Sequence, residues 1–193
     1  YNPIKIKNIR SKPKKNMTNL NILNIGRLEM QKDHITLIRA VKILSKKINI
    51  KLKIVGSGSQ YFFLKKNIKN LGIEKNIKII KETRNTTKFF LSSDLFVSTS
   101  LYEGFPNVIV ESIMHNIPVI SSNCRSGPKE ILIHDNATNM FKIKNYKDLA
   151  NKILYFYFNK KKFNKNKFKI KENLNNFHYK KILNKFDQLF QKI

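Results

Sequence analysis

Short apolar runs alternate with longer amphipathic stretches along most of the chain. The short runs have the length and the continuous apolar character of strands that are buried on both faces of a sheet. In the stretches between them, apolar residues recur every three to four positions, which is typical of helices that pack on such a sheet. Strands and helices that alternate at this spacing predict an α/β fold with a doubly wound parallel sheet, Rossmann-like in kind.

The predicted elements follow one another closely. Strands are expected at 20–26, 51–56, 77–80, 95–98, 118–121 and 140–143. Helices are expected from the cap Asp33 to about 48 and at 60–71, 86–92, 148–158 and 172–193, with two shorter helices that open near Pro106 and Pro128. The tract 159–171 is dominated by Lys, Asn and Phe, and it is expected to be a surface segment of low complexity.

These elements predict three parts of the chain. Residues 1–19 are polar and basic and contain two prolines, which is typical of a linker between domains. Residues 20–158 are expected to form the Rossmann-like domain, and residues 159–193 a basic extension that ends in a helix. A chain of 193 residues, 41% of them hydrophobic, can bury one sizeable core.

The net charge is +27, from 39 Lys and Arg against 12 Asp and Glu. A charge of this size raises the question of which anionic partner the chain binds. Three interpretations stay open. The charge is a compositional bias towards Lys, Asn and Ile, or it attracts the chain to an anionic membrane surface, or it attracts nucleic acid. Nucleic acid is the least favoured of the three, because no recognised nucleic-acid motif accompanies the charge.

Cysteine and histidine add little chemistry. The single cysteine, Cys124, can form no disulfide within the chain, which fits a reducing cytoplasm, and it is expected to be a buried or turn residue. No apolar run approaches 18 residues, so any membrane contact is expected to be peripheral. No metal is expected, because there is no Asp-x-Asp and the histidines lack ligand spacing: His34, His115, His134 and His178.

The stretch 102–111 carries the strongest chemical signal. A strand is expected to end before Glu103, and a helix is expected to open with Pro106 in its first turn, where a missing N–H costs nothing. Glu111 then lies inside the helix, so both carboxylates can face one crevice. Between them, backbone amides form the positive end of the helix and are expected to bind a phosphate: Gly104, Phe105 and Asn107.

Two further loops are expected at the carboxyl ends of strands, where ligands of such sheets bind. Arg27 and Lys32 follow the first strand, and fixed cations of this kind can stabilise a diphosphate leaving group without a metal. Gly56 and Gly58 follow the second strand and predict a tight turn.

These motifs resemble those of the retaining glycosyltransferases with a GT-B fold, family 4 in particular. The stretch 102–111 resembles the Glu-x7-Glu signature of that family, Gly26-Arg27-Leu28 with Lys32 resembles its donor loop, and Gly56-Ser57-Gly58 resembles its Val-Gly-x-Gly turn. The resemblance covers about 20–149, with the segments in family order.

The resemblance implies roles for individual residues. Arg27 and Lys32 line the diphosphate of a nucleotide sugar, and Glu103 lies near the diphosphate and the transferred sugar, where it can stabilise an oxocarbenium-like state. Glu111 hydrogen-bonds the ribose hydroxyls. The donor-binding set is completed by Gly26, Gly56, Gly58, Gly104, Phe105, Pro106 and Asn107. The nucleotide sugar, expected to be a UDP-sugar, is a co-substrate, and no cofactor is implied.

The resemblance also implies an acceptor. Residues 121–131 resemble a bacterial subgroup that elongates lipid-linked saccharides with N-acetylhexosamines or related sugars. The opening Tyr1-Asn2-Pro3-Ile4 resembles the segment that enters the C-terminal domain of family 4 enzymes. The chain is therefore expected to be the donor-binding C-terminal half of an enzyme, with the acceptor domain elsewhere. Alone it is expected to bind nucleotide without transferring sugar, in the cytoplasm or at the inner face of the plasma membrane.

The chain departs from the family pattern in two places. Asn116 stands where the family usually has Gly, and Asn can adopt the left-handed conformation that this turn requires. Residues 81–84, where the family contacts the base, are too divergent to assign. Two alternatives stay open: a sugar epimerase of the GT-B type, and a basic α/β module that binds nucleic acid.

Overall fold

The computed structural model describes residues 19–132 and 139–190. Within them, six strands form one parallel sheet: β1 (Leu20–Ile25), β2 (Ile50–Val55), β3 (Ile77–Ile80), β4 (Leu95–Ser98), β5 (Val119–Ser122) and β6 (Met140–Phe141). The strand order is β3-β2-β1-β4-β5-β6. The chain therefore adds β2 and β3 on one side of β1, returns to place β4 on the other side of β1, and adds β5 and β6 beyond β4. This is a doubly wound sheet, and the predicted fold class is confirmed.

The helices are α1 (His34–Leu44), α2 (Tyr61–Asn70), α3 (Thr87–Leu91), α4 (Asn107–Met114), α5 (Pro128–Ile131), α6 (Tyr146–Phe158), α7 (Lys160–Asn173) and α8 (Tyr179–Phe190). Short 3₁₀ turns lie at Met30–Lys32 and Leu174–Phe177.

The core has two parts, one on each face of the sheet. Successive strand residues point to opposite faces, so Ile22 packs with α1, α2 and α6, whereas its neighbour Leu23 packs with α3, α4 and α5. Phe90 and Phe96 are fully buried in the second part, with ring centroids 6.1 Å apart. Helices cover both faces, and this explains why the strands are apolar throughout.

Predicted and observed elements agree closely in the sheet. The third and fourth strands have the predicted bounds, and the other strands begin or end within two residues of them. Asp33 lies at the N-cap of α1 as expected. Asn116 adopts a left-handed conformation with φ of 58°, which confirms that it replaces the usual glycine at this turn. Cys124 is a free, buried thiol, in agreement with its predicted place.

Three predictions need correction. Helix α4 begins at Asn107 rather than at Pro106, because Pro106 has a non-helical ψ of 87° and stands at the N-cap. The tract expected as surface is the helix α7, and it buries Phe163 and Ile170. These two residues are seven positions apart, about two helical turns, and therefore share a face. The terminal helix begins at Tyr179, because the 3₁₀ turn precedes it.

The proposed domain boundaries stay predictions. Residues 1–18, most of the predicted linker, lie outside the described residues, as do His134 and residues 191–193. Across the boundary predicted after residue 158, Asn173 of α7 donates hydrogen bonds from Nδ2 to the carbonyl oxygens of Glu130 and Ile131, at 2.7 and 3.1 Å. The first part of the predicted extension thus packs on the sheet domain.

Burial of His34 predicts a loss of stability in acid. The side chain is 2% exposed, and its Nε2 has no hydrogen-bond partner among the described residues. Burial, with a smaller effect from the charge of Lys32, lowers the pKa of His34 to about 4. Since the unfolded chain binds this proton near pH 6.5, the free energy of unfolding is expected to fall by about 3 kcal/mol in total between pH 6.5 and 4.

Urea unfolding at a series of pH values measures this loss. His34→Gln should remove this share of the pH dependence. An unaltered slope in His34→Gln would contradict the assignment.

Candidate functional site

The site lies where the strand order reverses. Strands β1 and β4 are neighbours, with Leu23 opposite Phe96. They bring Lys32, in the loop after β1, into contact with Glu103, in the loop after β4, although these two residues are 71 positions apart in the chain. On either side of this junction the connections run in opposite directions, so the loops after β1 and β4 leave a crevice between them. The residues that bear candidate chemistry follow these two strands.

The loop after β1 is held by the turn that follows β2. Leu28 is fully buried, and its N–H donates to the carbonyl oxygen of Ser57 at 2.7 Å, while the N–H of Gln60 donates to the carbonyl oxygen of Leu28 at 2.8 Å. The Ser59 N–H and hydroxyl donate to the two oxygens of Glu29 at 2.9 and 2.7 Å, and these bonds lower the pKa of Glu29. The two loops thus form one connected unit.

Glycine is required where these loops meet. A Cβ at Gly56 would lie 1.9 Å from the carbonyl oxygen of Gly26, and a Cβ at Gly58 would lie 2.6 Å from the carbonyl oxygen of Leu28. Gly58 also has a φ of 154°, which L side chains rarely adopt. No side chain larger than hydrogen fits at either position without moving the backbone. The sequence predicted only a tight turn here, and the structure adds the reason for both glycines.

Lys32 and Glu103 form the centre of the site. The Lys32 ammonium and the Glu103 carboxylate are an ion pair, and the Ser100 hydroxyl donates to the same carboxylate oxygen at 2.6 Å. The side chains of Lys32 and Glu103 are 18% and 9% exposed. A positive and a negative group of the predicted set therefore meet directly, in a place largely shielded from water.

The backbone around this pair is cross-linked by hydrogen bonds. The Thr99 hydroxyl donates to the carbonyl oxygen of Lys32 at 2.7 Å, and Gln31 Nε2 donates to the carbonyl oxygen of Tyr102 at 2.9 Å. The Leu101 N–H donates to the carbonyl oxygen of Gln31 at 2.8 Å. These bonds join the β1 and β4 loops and hold the Lys32–Glu103 pair in place.

The loop after β5 supports the loop after β4. The Ser126 hydroxyl donates to the carbonyl oxygen of Glu103 at 2.6 Å, and the Ser122 hydroxyl donates to that of Ser100 at 2.5 Å. Gly127 has a φ of 82°, and a Cβ there would lie 2.5 Å from the carbonyl oxygen of Gly104. Three successive parallel strands, β1, β4 and β5, thus contribute to the position of Glu103.

Helix α4 begins at Asn107, four positions after Glu103. Its first amides have no acceptor within the helix, so they can bind an anion. Gly104 is exposed, and a Cβ there would meet nothing within 4 Å. Phe105 turns its ring into the core, 5.2 Å from the ring of Phe177. Glu111 lies about one turn into the helix, half-buried, and burial raises the pKa of its carboxyl.

Arg27 differs from the other charged members of the set. It is exposed, and its guanidinium donates to Gln31 Oε1 at 3.3 Å. The predicted residues thus fall into a connected group around Lys32 and Glu103, a glycine-lined contact between the first two loops, and two outlying charges, Arg27 and Glu111.

Sequence reasoning missed four polar residues that hold the centre: Gln31, Thr99, Ser100 and Ser126. A signal was present for two of them, since small hydroxyl residues directly after a buried strand often bond the loops beside them. Among the described residues, no three His, Cys, Asp or Glu side chains are grouped so as to hold a metal. Cys124 stays a thiol, because burial raises its pKa.

None of the described helices is long and apolar enough to cross a membrane.

Comparison with known families identifies the domain. The family model for glycosyl transferases group 1 matches residues 5–174. The chain belongs to this family of glycosyltransferases, and its fold is of the GT-B type, so the predicted likeness to GT-B glycosyltransferases is confirmed.

Two curated relatives show how much of the family protein is present. An uncharacterized glycosyltransferase of Methanocaldococcus jannaschii is 41% identical over 111 residues, which are 57% of this chain and 27% of that protein. An N-acetylgalactosaminyltransferase of Campylobacter jejuni, named for a diphospho-undecaprenol-linked substrate, is 33% identical over 137 residues, or 70% of this chain and 37% of that protein. The chain spans about a third of the length of these relatives.

Solved structures agree with the fold. Staphylococcus aureus TarM, in a mutant form in complex with fondaparinux, alpha-GlcNAc-glycerol and UDP, matches 97% of this chain with a TM-score of 0.84 and 27% identity, over 38% of its own chain. The lipopolysaccharide outer core galactosyltransferase WaaB matches all of this chain with a TM-score of 0.81 and 21% identity, over 55% of its own chain. The second likeness concerns the fold alone.

Proposed function

We propose that this domain is the donor-binding part of a retaining glycosyltransferase that moves a sugar from a UDP-sugar to a lipid-linked or surface glycan. One observation carries the proposal: the cluster of Lys32, Glu103 and Ser100 where β1 and β4 meet. It combines a cation for a leaving diphosphate with a carboxylate for a developing positive charge, at the place in such a sheet where ligands bind.

The cations act on the leaving group. Lys32 has three donors, and one of them bonds Glu103, so the others are available to a diphosphate oxygen. Arg27 is exposed at the mouth of the crevice, and its planar guanidinium can bind a second phosphate oxygen. Two fixed cations supply the charge that a metal provides in other transferases, and we propose a metal-independent reaction.

Glu103 acts near the anomeric carbon. As the bond to the diphosphate breaks, positive charge grows on the sugar ring, and a carboxylate close by stabilises that charge. The hydrogen bonds from Lys32 and Ser100 fix the position of the Glu103 carboxylate. In the proposed mechanism this carboxylate stabilises the oxocarbenium-like state.

Glu111 and the first turn of α4 bind the rest of the donor. A carboxylate at Glu111 accepts hydrogen bonds from the two ribose hydroxyls, and the amides of Gly104, Phe105 and Asn107 receive a phosphate beside the Pro106 cap. Burial raises the pKa of the Glu111 carboxyl, and a perturbed carboxyl beside a crevice is a candidate ligand-binding group. Gly56 packs against Gly26 and Gly58 packs against Leu28, and we propose that Gly26, Gly56 and Gly58 contribute to donor binding by holding the loops after β1 and β2 together.

The relatives support the choice of substrates. The solved TarM complex contains UDP, and the Campylobacter relative is named for a diphospho-undecaprenol substrate. Because the chain spans about a third of its relatives, we propose that acceptor-binding residues belong to an N-terminal domain outside this sequence. With a lipid-linked acceptor, the enzyme would work at the inner face of the plasma membrane.

Family membership favours neither the epimerase nor the nucleic-acid alternative.

Titration calorimetry with UDP and with GDP, each at two salt concentrations, tests the donor site. UDP is expected to bind, and Glu111→Ala is expected to weaken UDP binding by about tenfold or more, because two hydrogen bonds from ribose lose a charged acceptor. Glu172→Ala, at an exposed position on α7, is the matched control and should bind UDP like the original chain.

The outcomes separate the parts of the proposal. If GDP binds more tightly than UDP, the donor nucleotide carries guanine rather than uracil, and the proposed donor site stands. If neither nucleotide binds, the donor-site proposal fails. Transfer of sugar by this chain alone would contradict the assignment of the acceptor site to a separate domain.

A further inference from the structure

Helix α2 presents an unusual outer surface. Its inner face is anchored in the core by Leu64 and Ile68, which are 2% and 5% exposed. Its outer residues include three consecutive aromatic side chains and three lysines, Tyr61, Phe62, Phe63, Lys65, Lys66 and Lys69, which we call the aromatic–basic surface. Phe62 is 80% exposed, and such a large apolar ring in water requires an explanation.

The surface continues into a groove beside the edge of the sheet. Strand β3 is the edge strand, and the groove between it and α2 has a volume of about 550 Å³. Ile68, Ile77 and Ile79 form its apolar floor, and Glu74 is the acidic residue in its lining. The residues of the aromatic–basic surface other than Phe63 complete the lining. The groove is therefore apolar below and positively charged above.

We propose that the aromatic–basic surface binds an anionic lipid bilayer at the depth of its headgroups. Rings beside lysines on one helix suit this boundary, where aromatic side chains enter the acyl region and lysines meet lipid phosphates. The charges are complementary, since three lysines face the partner against one Glu74. The proposal deepens the proposed function and rests on it in one respect: a membrane is useful to this enzyme because it presents a lipid-linked acceptor.

The arrangement of the rings favours lipid over nucleic acid. Tyr61 and Phe62 meet edge to face, with centroids 5.3 Å apart and ring planes at 80°, and Lys65 Nζ lies 5.6 Å from the centre of the Tyr61 ring. Stacking of successive bases requires ring faces that are free and similarly oriented. Here the Tyr61 and Phe62 rings stand nearly at right angles and a lysine lies against the Tyr61 ring, whereas insertion into lipid needs only exposed apolar area.

A second patch on the molecule provides a matched control. Phe158 is 74% exposed at the end of α6, next to Lys160 and Lys161 in the chain, and Lys160 Nζ lies 4.9 Å from the centre of the Tyr157 ring. Helices α2 and α6 both follow a strand and return along the sheet. The rings of the aromatic–basic surface are in the first turn of α2 and Phe158 is the last residue of α6, so Phe62 and Phe158 lie towards opposite ends of the strands.

Tryptophan fluorescence distinguishes the two patches. The chain contains no Trp, so Phe62→Trp and Phe158→Trp each introduce a single reporter. With vesicles of phosphatidylcholine and phosphatidylglycerol, the emission of Phe62→Trp should shift to the blue and be quenched by brominated lipid, and that of Phe158→Trp should not. Vesicles of phosphatidylcholine alone should give no shift at either position.

Affinity provides the second test. The variant Phe62→Ala/Lys65→Gln/Lys66→Gln should bind the anionic vesicles at least about thirtyfold more weakly, since each lysine at the surface contributes about fivefold. Phe158→Ala/Lys160→Gln/Lys161→Gln removes the same residue types and should change affinity by less than about threefold. Thermal unfolding verifies that both variants fold.

Several results would overturn the proposal: equal losses in the two triple variants, vesicle binding without a shift at Phe62→Trp, or a shift caused by single-stranded RNA or by self-association rather than by vesicles. The vesicle assays contain no UDP, so vesicle binding can fail while UDP still binds, and UDP binding can fail while vesicles still bind.

Discussion

Gly56→Ala is expected to destabilise the domain by about 4 kcal/mol or more, and much of the protein should fail to fold. The reason is steric: a Cβ would lie 1.9 Å from the carbonyl oxygen of Gly26, an atom of the backbone that cannot rotate away. The loops after β1 and β2 would have to separate, and with them the bonds that join Leu28 to Ser57 and Gln60. Urea unfolding followed by circular dichroism measures the loss.

Gly104→Ala is the matched control for this prediction. A Cβ at Gly104 has open space around it, so stability should change by no more than about 0.5 kcal/mol. Similar stabilities for the two variants would show that the close contact at Gly56 does not exist in solution.

Lys32→Met is expected to lower the free energy of unfolding by about 3 kcal/mol and to remove measurable UDP binding. The carboxylate of Glu103 is 9% exposed and would lose its ion-pair partner, and an uncompensated charge in such a place is costly. The UDP diphosphate would lose a cation at the same time. Chemical unfolding and calorimetry on the same preparations measure the two effects.

A second substitution separates the two effects of Lys32. Adding Glu103→Gln to Lys32→Met removes the unpaired charge, so stability should recover by most of the loss while UDP binding stays absent. Arg27→Ala is the control: this residue is exposed, so stability should hold within about 0.5 kcal/mol while UDP binding weakens. Recovery of UDP binding in the double variant would exclude Lys32 from the donor site.

The loop after β1 shows what can be read from local sequence. The apolar run 20–26 predicts a buried strand, and a parallel strand delivers its loop to the ligand-binding edge. Arg27 and Lys32 lie in this loop and match the donor loop of the family that the motifs resemble. The serine and threonine partners of the site were missed. Their bonds reach across the sheet, as when Thr99 bonds the carbonyl oxygen of Lys32, and no sequence pattern encodes a contact between strands that are far apart in the chain.

Helix α7 shows the same limit in the core. Its composition suggested a surface tract, because Lys and Asn dominate it. Phe163 and Ile170 are nevertheless buried, one in each part of the core. Two apolar residues are too few for a clear periodic signal, and their burial depends on the helix lying against elements that precede it by many residues.

The sequence by itself determined the alternation of strands and helices, the left-handed turn at Asn116 and the motifs that identify the family, since each depends on residues close together in the chain. Only the tertiary structure decided that Lys32 pairs with Glu103, that Gly56 lies against Gly26, and that α2 keeps its aromatic rings exposed. The physical reason is the strand order. Placing β1 between β2 and β4 brings distant loops together, and the contacts that form there depend on the geometry of the whole sheet.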